Sequence, residues 1–392
     1  MRDVHHIAVF RALKLGDLLC ATPALRALHA PRADGRRPHV TLVGLPWAAA
    51  LARRLDCVDA FVPFPGHPQL PERSCSTERL ARFLAAMRRR RFDLALQMHG
   101  SGTIVNPLVA AFGARWSFGF RPDADDGSPT ATALDDSVPW PGHGSEIERC
   151  LALTDAVGLP RQGMRPDFPL QEADRRAASA LLETHGVGRD HVIVHAGSQW
   201  PSRRWPPERF AAVADAMAGQ GVQPVLTGSA GEAQLASQVR AAARHTVIDL
   251  CGRTDLFTLG ALVESARLVV CNDTGISHVA AALRTPSVVV SCGSEVSRWA
   301  PLDHRLHPVR WIATPCRPCG HTVCPTRHEC ATGIEAPTVI QTALELLQAT
   351  QPKTNSPCLT PAIPHMPRLS PPSPGGAFAS SPGMSTATTF TT

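Results

Sequence analysis

Twice along this chain a short apolar strand runs into a glycine-bearing turn and then a helical pattern. That repeated grammar restricts the fold more than any other feature. His6–Phe10 leads to Gly16-Asp17 and a helical pattern from Leu18 to His29. Val192–His195 leads to Ala196-Gly197-Ser198 and, after Pro206-Pro207, to a helix through Met217. Apolar strands alternating with amphipathic helices predict parallel sheets built from βαβ units. The first half reads as strands over 6–10, 39–43 and 93–97 and helices over 17–29, 46–54 and 77–90. The second reads as strands over 192–195, 223–227, 246–250, 268–271 and 287–291 and helices over 207–219, 231–243, 256–265 and 275–283. The Asp-, Gly- and Pro-rich stretch 121–145 is expected to be a loop.

The chain has 392 residues, enough for about two domains with cores of their own. Gly158, Pro160, Gly163, Pro166 and Pro169 place the boundary near 160–170. The expected units are 1–165 and 166–350. Residues 351–392 are rich in Pro, Ser and Thr and are expected to be a disordered tail, because they cannot bury enough surface to offset chain entropy. A net charge of +6 suits an acidic substrate or an anionic surface and is too small to argue for nucleic acid. No run of apolar residues is long enough to span a bilayer, and Ile7–Phe10 is too short for a secretory signal, so a cytoplasmic location is expected.

The strongest chemical motif is Cys271-Asn272-Asp273-Thr274-Gly275-Ile276-Ser277-His278. A strand runs directly into a helix opening at Gly275, with Thr274 as its N-cap. Free N–H groups and the positive end of the helix dipole make such a turn a diphosphate site. Gly275 would admit phosphate to the backbone, and Ser277 and His278 would add donors. The plainer reading is a capped helix with an Asp-Thr-Gly turn. Ser198 through Pro207 carries Arg203-Arg204 on a loop after a strand, where guanidinium groups suit phosphate oxygens. Its plainer reading is a surface loop whose tryptophans pack between the domains, with Trp205 structural. Asp17 follows the first strand and would serve as a general base in a cleft. By its local context alone it reads as the N-cap of the helix beginning at Leu18.

Cys316, Cys319, Cys324 and Cys330 cluster late in the chain, four of its twelve cysteines. They leave open a structural zinc or iron site, free buried thiols, or disulfides. Arg88-Arg89-Arg90-Arg91 ends a helix, where cations are favoured by the dipole. It reads as a solvated face or as a contact for anionic lipid or an acidic acceptor. His99-Gly100-Ser101-Gly102 reads as a cleft wall or as a plain turn.

Taken together, the motifs resemble glycosyltransferase family 9, the ADP-heptose:lipopolysaccharide heptosyltransferases. The matching runs are Arg11 through Leu19 with Thr22-Pro23, His195-Ala196-Gly197 through Arg203-Arg204-Trp205-Pro206, Leu226-Thr227-Gly228 with Glu232, Leu250 through Thr254, and Asn272-Asp273-Thr274-Gly275 with Ser277-His278. They span about residues 5–345. The resemblance implies a GT-B fold, two Rossmann-like domains facing across a cleft. The acceptor would sit on the first domain and a nucleotide-diphosphate sugar on the second. It implies inverting transfer of heptose to a lipopolysaccharide core precursor, a glycolipid acceptor at the inner face of the inner membrane, with no obligatory metal or other cofactor. Asp17 stands where the family has its base. Asp273, Thr274, Gly275 and His278 stand where it holds the diphosphate. Arg203 replaces a residue that is usually Lys. Glu232 would meet the ribose, and Arg253 and Thr254 the adenine. Rival readings are the same chemistry on another sugar or acceptor, a nucleotide-sugar epimerase, which would need paired acids not seen here, and a nucleotide-binding regulator without catalysis.

Overall fold

The computed structural model describes residues 4–122 and 133–350. The expected tail, 351–392, lies outside the described residues, as does 123–132 of the expected loop.

The first half runs β1 (His6–Phe10), α1 (Leu15–His29), β2 (His39–Gly44), α2 (Ala49–Ala52), β3 (Ala60–Pro63), α3 (Thr77–Arg89), β4 (Leu94–Gln97), α4 (Val105–Ala110), β5 (Trp116–Arg121), β6 (Asp136–Pro139) and α5 (Glu146–Ala156). The second runs α6 (Glu172–Thr184), β7 (His191–His195), α7 (Pro207–Ala218), β8 (Gln223–Leu226), α8 (Ala233–Ala242), β9 (Ile248–Asp249), α9 (Leu256–Ser265), β10 (Leu268–Asn272), α10 (Gly275–Leu283), β11 (Ser287–Val290), α11 (Val296–Trp299), β12 (Val309–Arg310), α12 (Glu329–Thr332) and α13 (Ala336–Ala349). Each half holds one six-stranded sheet, in the orders β3-β2-β1-β4-β5-β6 and β12-β11-β10-β7-β8-β9. All pairings are parallel, and the two orders are the same when each half is numbered from its own first strand. In such doubly wound sheets the strand order reverses at one point, and a crevice opens there beyond the carboxyl ends of the strands. The reversal falls between β1 and β4 in one half and between β7 and β10 in the other.

The central strands are buried on both faces, which is why Ile7-Ala8-Val9-Phe10 and Leu268-Val269-Val270-Cys271 are continuously apolar. Helix α1 is buried nearly all round, because α5 packs on one side and α10 of the other half on another. A single hydrophobic cluster therefore runs from Val9 and Leu25 through Ile147 to Ile276 and Val279. Pro23 lies within α1 and cannot donate to Leu19. The Thr22 hydroxyl donates to that Leu19 carbonyl at 2.8 Å and accepts from the Asp167 amide at 2.8 Å. The Thr-Pro pair thus closes its own break in the helix and ties the connecting segment to α1.

The stretch 121–145 is not all loop, since β5 ends at Arg121 and β6 lies within it. The sequence pattern also does not predict β3, α4, β5, α5, α6, α11, β12, α12 and α13. Helix 46–54 is a 3-10 turn over Pro46–Ala48 followed by the short α2.

Candidate active site

Helix α1 begins at Leu15, with Lys14 at the N-cap. Asp17 is therefore not the N-cap that its local context suggested. It stands three residues further in, and its Oδ2 accepts from the Lys14 amide at 3.3 Å. A carboxylate in the first turn is also favoured by the helix dipole. Arg11, from the turn after β1, is almost fully buried. Its Nε and Nη2 donate to the Asp17 carbonyl at 3.1 and 2.8 Å, and its Nη1 to the Met98 carbonyl at 2.6 Å. Its Nη2 also lies 3.7 Å from the Asp17 carboxylate. Buried Glu146, the first residue of α5, accepts from Arg11 at 2.9 Å and from Nε of Arg298 at 2.7 Å. The Asp17 side chain is about one-fifth exposed, 19%. Burial pushes its carboxyl above the usual carboxylate range. Arg11, His278 and Arg298 pull it down, and Glu146 pushes it up.

In the second half, β10 ends at Asn272. Its amide donates to the Ala196 carbonyl at 2.7 Å, and its Oδ1 accepts from the Trp205 amide at 2.9 Å, so the turns after β7 and β10 are held together. Trp205 is fully buried and structural, and it packs within the second half's own core rather than between the halves. Helix α10 opens at Gly275 with Thr274 at the N-cap, whose hydroxyl makes no capping bond. Ser277 is fully buried and its hydroxyl donates to the Thr274 carbonyl at 2.7 Å. It is not free to reach a ligand, because a buried hydroxyl near the first turn finds its own backbone carbonyl first. The Asp273 carboxylate accepts from Ser294. Ser294 in turn meets Ser291 at 2.6 Å, and Arg317 donates to Ser291 at 3.1 Å.

The two helix starts meet through a pair of glycines. A Cβ on Gly16 would lie 2.6 Å from the His278 ring, and a Cβ on Gly275 would lie 3.1 Å from Leu15. Each glycine makes room for a side chain of the other half. Leu15 thus takes the space beside the Gly275 Cα, while Gly275 still lines the cavity at the helix start. His278 is buried, with Nδ1 3.5 Å from the Cys20 sulfur, and burial lowers its pKa.

A cavity of about 350 Å³ lies where these turns converge. Asp17, Arg203, Asp273, Thr274, Gly275 and His278 all line it, from both halves. Larger cavities of about 600 and 680 Å³ lie elsewhere and contain none of the anticipated residues. Arg203 ends a 3-10 turn, and its Nη2 donates to the Cys319 carbonyl at 2.5 Å. Four anticipated residues do not line this cavity: Glu232, Arg253, Thr254 and Ser277. Glu232 Oε2 accepts from the Ser229 amide and hydroxyl at 2.7 and 2.8 Å. Its other oxygen fills the space over Gly197, where a Cβ would come within 2.0 Å. It therefore sits beside the ends of β7 and β8. Arg253 and Thr254 lie in the turn between β9 and α9, and a Cβ on the neighbouring Gly252 would be 3.0 Å from Ala230.

Residues that the motifs did not single out complete the site. Arg11 lies in the run Arg11 through Leu19 with nothing local to mark its role, and no motif marks Glu146 or Arg298. The Ser145-x-x-Glu148 capping box, with Ser145 accepting from the Glu148 amide at 3.2 Å, marks the start of α5. It would have located the helix, though not Glu146's partners. His99 is buried against Phe10, accepts from the Ala12 amide at 3.3 Å, and is pushed down to about 3 by burial, so it is a neutral, buried residue of the turn that follows β4. Arg88 donates to the Ala111 carbonyl at 3.1 Å.

The four late cysteines are free thiols, so no disulfide joins them. Among the described residues, no group of three or more His, Cys, Asp or Glu side chains is placed to hold a metal, and structural zinc is not supported. Cys319 and Cys330 are buried while Cys316 is exposed, so the thiols are spread between core and surface. The segment instead braces the Arg203 turn. The Ser202 amide donates to the Thr322 carbonyl at 3.1 Å, and the His328 ring meets the Ser202 carbonyl at 2.9 Å.

Residues 80–329 match the model of "Glycosyltransferase family 9 (heptosyltransferase)". The lipopolysaccharide heptosyltransferase 2 of Escherichia coli K12 is 25% identical over 316 residues, covering 76% of this chain and 86% of that protein. The crystal structure of a family 9 glycosyltransferase from Veillonella parvula superposes with a TM-score of 0.74 at 19% identity, over 88% of this chain and 98% of that one. The E. coli ADP-heptose lps heptosyltransferase II structure gives 0.68 at 21%, over 88% and 99%. The chain belongs to glycosyltransferase family 9 and is a glycosyltransferase of the GT-B fold.

Proposed function

We propose that this enzyme transfers heptose from ADP-heptose to a lipopolysaccharide core acceptor by inverting displacement. Residues 1–165 hold the acceptor and residues 166–350 the donor. The observation that carries this reading is the shared cavity, in which Asp17 of the first half faces Arg203 and the Asp273–His278 turn of the second.

The diphosphate rests at the N-terminus of α10, where free amides and the helix dipole favour negative charge. Arg203 adds a cation. As the sugar–phosphate bond breaks, charge grows on the leaving ADP, and donors aimed there in advance stabilise the transition state. Asp17 takes the proton of the acceptor hydroxyl as that oxygen attacks the anomeric carbon from the face opposite the leaving group. Its pKa, raised by burial, makes it a stronger base than an exposed aspartate. Glu232 accepts from the ribose hydroxyls, and Arg253 and Thr254 border the adenine. Thr274, Gly275 and His278 contribute at the diphosphate, while Ser277 serves the helix start. Closure of the halves keeps water from the donor.

The acceptor is a glycolipid presented at the inner face of the inner membrane, with the enzyme working from the cytoplasm. Among the described residues no helix is long and apolar enough to cross a membrane. The Arg88–Arg91 run supports a peripheral contact with anionic lipid.

A melting-temperature panel tests the donor, because a ligand that binds only the native state stabilises it by mass action. ADP is expected to raise the midpoint more than UDP or GDP. A preference for UDP removes ADP-heptose as donor and leaves the family assignment standing. Transfer of radiolabelled heptose to heptose-deficient lipopolysaccharide tests the acceptor, and labelled donor consumed only by water would overturn it.

A further inference from the structure

Glu146 is 1% exposed, and each of its carboxylate oxygens serves a different half of the molecule. Oε1 accepts from Nη2 of Arg11 at 2.9 Å, and Oε2 accepts from Nε of Arg298 at 2.7 Å. Arg11 belongs to the turn after β1 and holds the Asp17 carbonyl with two N–H groups, at 3.1 and 2.8 Å. Arg298 belongs to α11 in the second half. Its guanidinium lies 4.6 Å from the Trp299 ring centroid and 5.4 Å from that of Trp140, an aromatic of the first half. Trp299 lines the same cavity as Asp17 and meets the His278 ring edge-on at 6.2 Å. A continuous path of charged contacts thus runs from the second half to the residue read as the base.

We propose that Glu146 is a positioning residue that couples the seating of the second half, through Arg298, to the placement of Asp17, through Arg11. The proposal rests on the reading of Asp17 as general base. The physical argument concerns a buried carboxylate that needs both partners. With both guanidinium groups in place its charge is balanced from two sides, and Arg11 is free to hold Asp17. If the second half moves away, Arg298 leaves with it. Glu146 then has the neighbouring Arg149, 3.8 Å away, and Arg11 to compensate it, and the demand on Arg11 rises. Asp17 loses part of its support. The base is correctly set only when the halves are seated, the state in which water is also excluded from the donor.

The groups that face Asp17 give the test its sign. Arg11 and Glu146 face it from the turn after β1 and from α5, Cys150 lies on α5, His278 faces it from α10, Arg298 from α11, and Lys14 and Cys20 share its own helix. The negative charge of Glu146 raises the Asp17 pKa, and the positive charge of Arg298 lowers it. Removing each charge in turn moves the base in opposite directions.

The experiment measures transfer against pH for the full chain, with ADP-heptose as donor and heptose-deficient lipopolysaccharide as acceptor. Glu146→Gln is expected to lower kcat by about 10- to 100-fold, the scale of a misplaced catalytic group, with donor KM changed by less than about twofold. Its acid limb moves to lower pH. Arg298→Gln, whose side chain is 24% exposed and less demanding for folding, leaves the Arg11–Glu146 pair and moves the acid limb to higher pH. If Glu146→Gln does not fold, the direction for Arg298→Gln alone decides. In an Asp17→Asn background, Glu146→Gln is expected to slow transfer no further, because it acts through Asp17. Acid limbs that do not move, or that move the same way, overturn the coupling, as does a Glu146 defect that multiplies the Asp17→Asn defect. Asp17→Asn at near wild-type rate would instead sink the base reading itself. A slow Asp17→Asn with unmoved limbs sinks only the role of Glu146.

Discussion

The two halves share one strand order and one ligand crevice, yet they furnish that crevice with opposite chemistry. In the first half the turn after β1 leads to an acid, Asp17, set among Arg11, Glu146 and Arg298. In the second the turns after β7 and β10 lead to Arg203 and an open helix start at Gly275. A doubly wound sheet fixes where a ligand binds, and the side chains at that place fix what is done there. The halves then meet at their crevices, where Gly16 admits His278 and Gly275 admits Leu15. One scaffold used twice places an acid on one wall and a cation beside a helix start on the other.

The sharpest way to break this contrast is to disarm the first wall alone. Asp17→Asn is expected to slow transfer by roughly 10²–10⁴-fold, the worth of general-base help. ADP binding should persist. The melting temperature should shift little, because an amide oxygen can still accept from the Lys14 amide. Turnover near normal would leave the first half without a base.

Disarming the second wall should affect binding first. Arg203→Ala removes one charge-assisted contact and is expected to weaken ADP by about 10- to 100-fold. Calorimetry on the variant checks it. Unchanged ADP affinity would mean that Arg203 serves only to hold the Cys319 carbonyl.

The glycine pair tests the meeting of the halves. Gly16→Ala drives a methyl into a buried ring, an overpacking that typically costs about 1–3 kcal/mol. Gly275→Ala meets a flexible leucine at 3.1 Å and should cost less. Denaturant midpoints of the two variants rank them, and the reverse order would show that Leu15 is the more tightly held neighbour.

The smallest effect is expected at the late cysteines. Cys316→Ser, at an exposed position, should change stability by no more than about 0.5 kcal/mol, and EDTA should leave the melting temperature where it was. A marked loss with EDTA would show a metal that the arrangement of thiols does not suggest.

Local signals made much of this molecule legible. Short apolar runs ending in glycine-bearing turns marked β1, β7 and β10, and helices such as α3, α9 and α10 fell almost where their periodicity placed them. Residues close in sequence to a strand end were readable as site candidates because the fold must bring strand ends together. Edge elements were harder. β6 is four residues of Asp-Ser-Val-Pro, and β12 only two residues long, too short for any period to show. Asp17 stands three residues inside the helix rather than at its cap, where its carboxylate accepts from the Lys14 amide and makes it part of the first turn. Ser277 pointed inward because its helix is buried on that side.

The sequence by itself determined two βαβ-rich halves, their turns, and six of the residues that line the shared cavity. Only the tertiary structure decided which half faces which, and it alone placed Glu146 between Arg11 and Arg298, which are 135 and 152 residues away from it. Periodicity and capping report interactions within a few residues of chain, whereas a buried ion network depends on how whole sheets and helices pack. No local pattern records it, because each of its members, taken alone, is an ordinary charged residue near the end of an element.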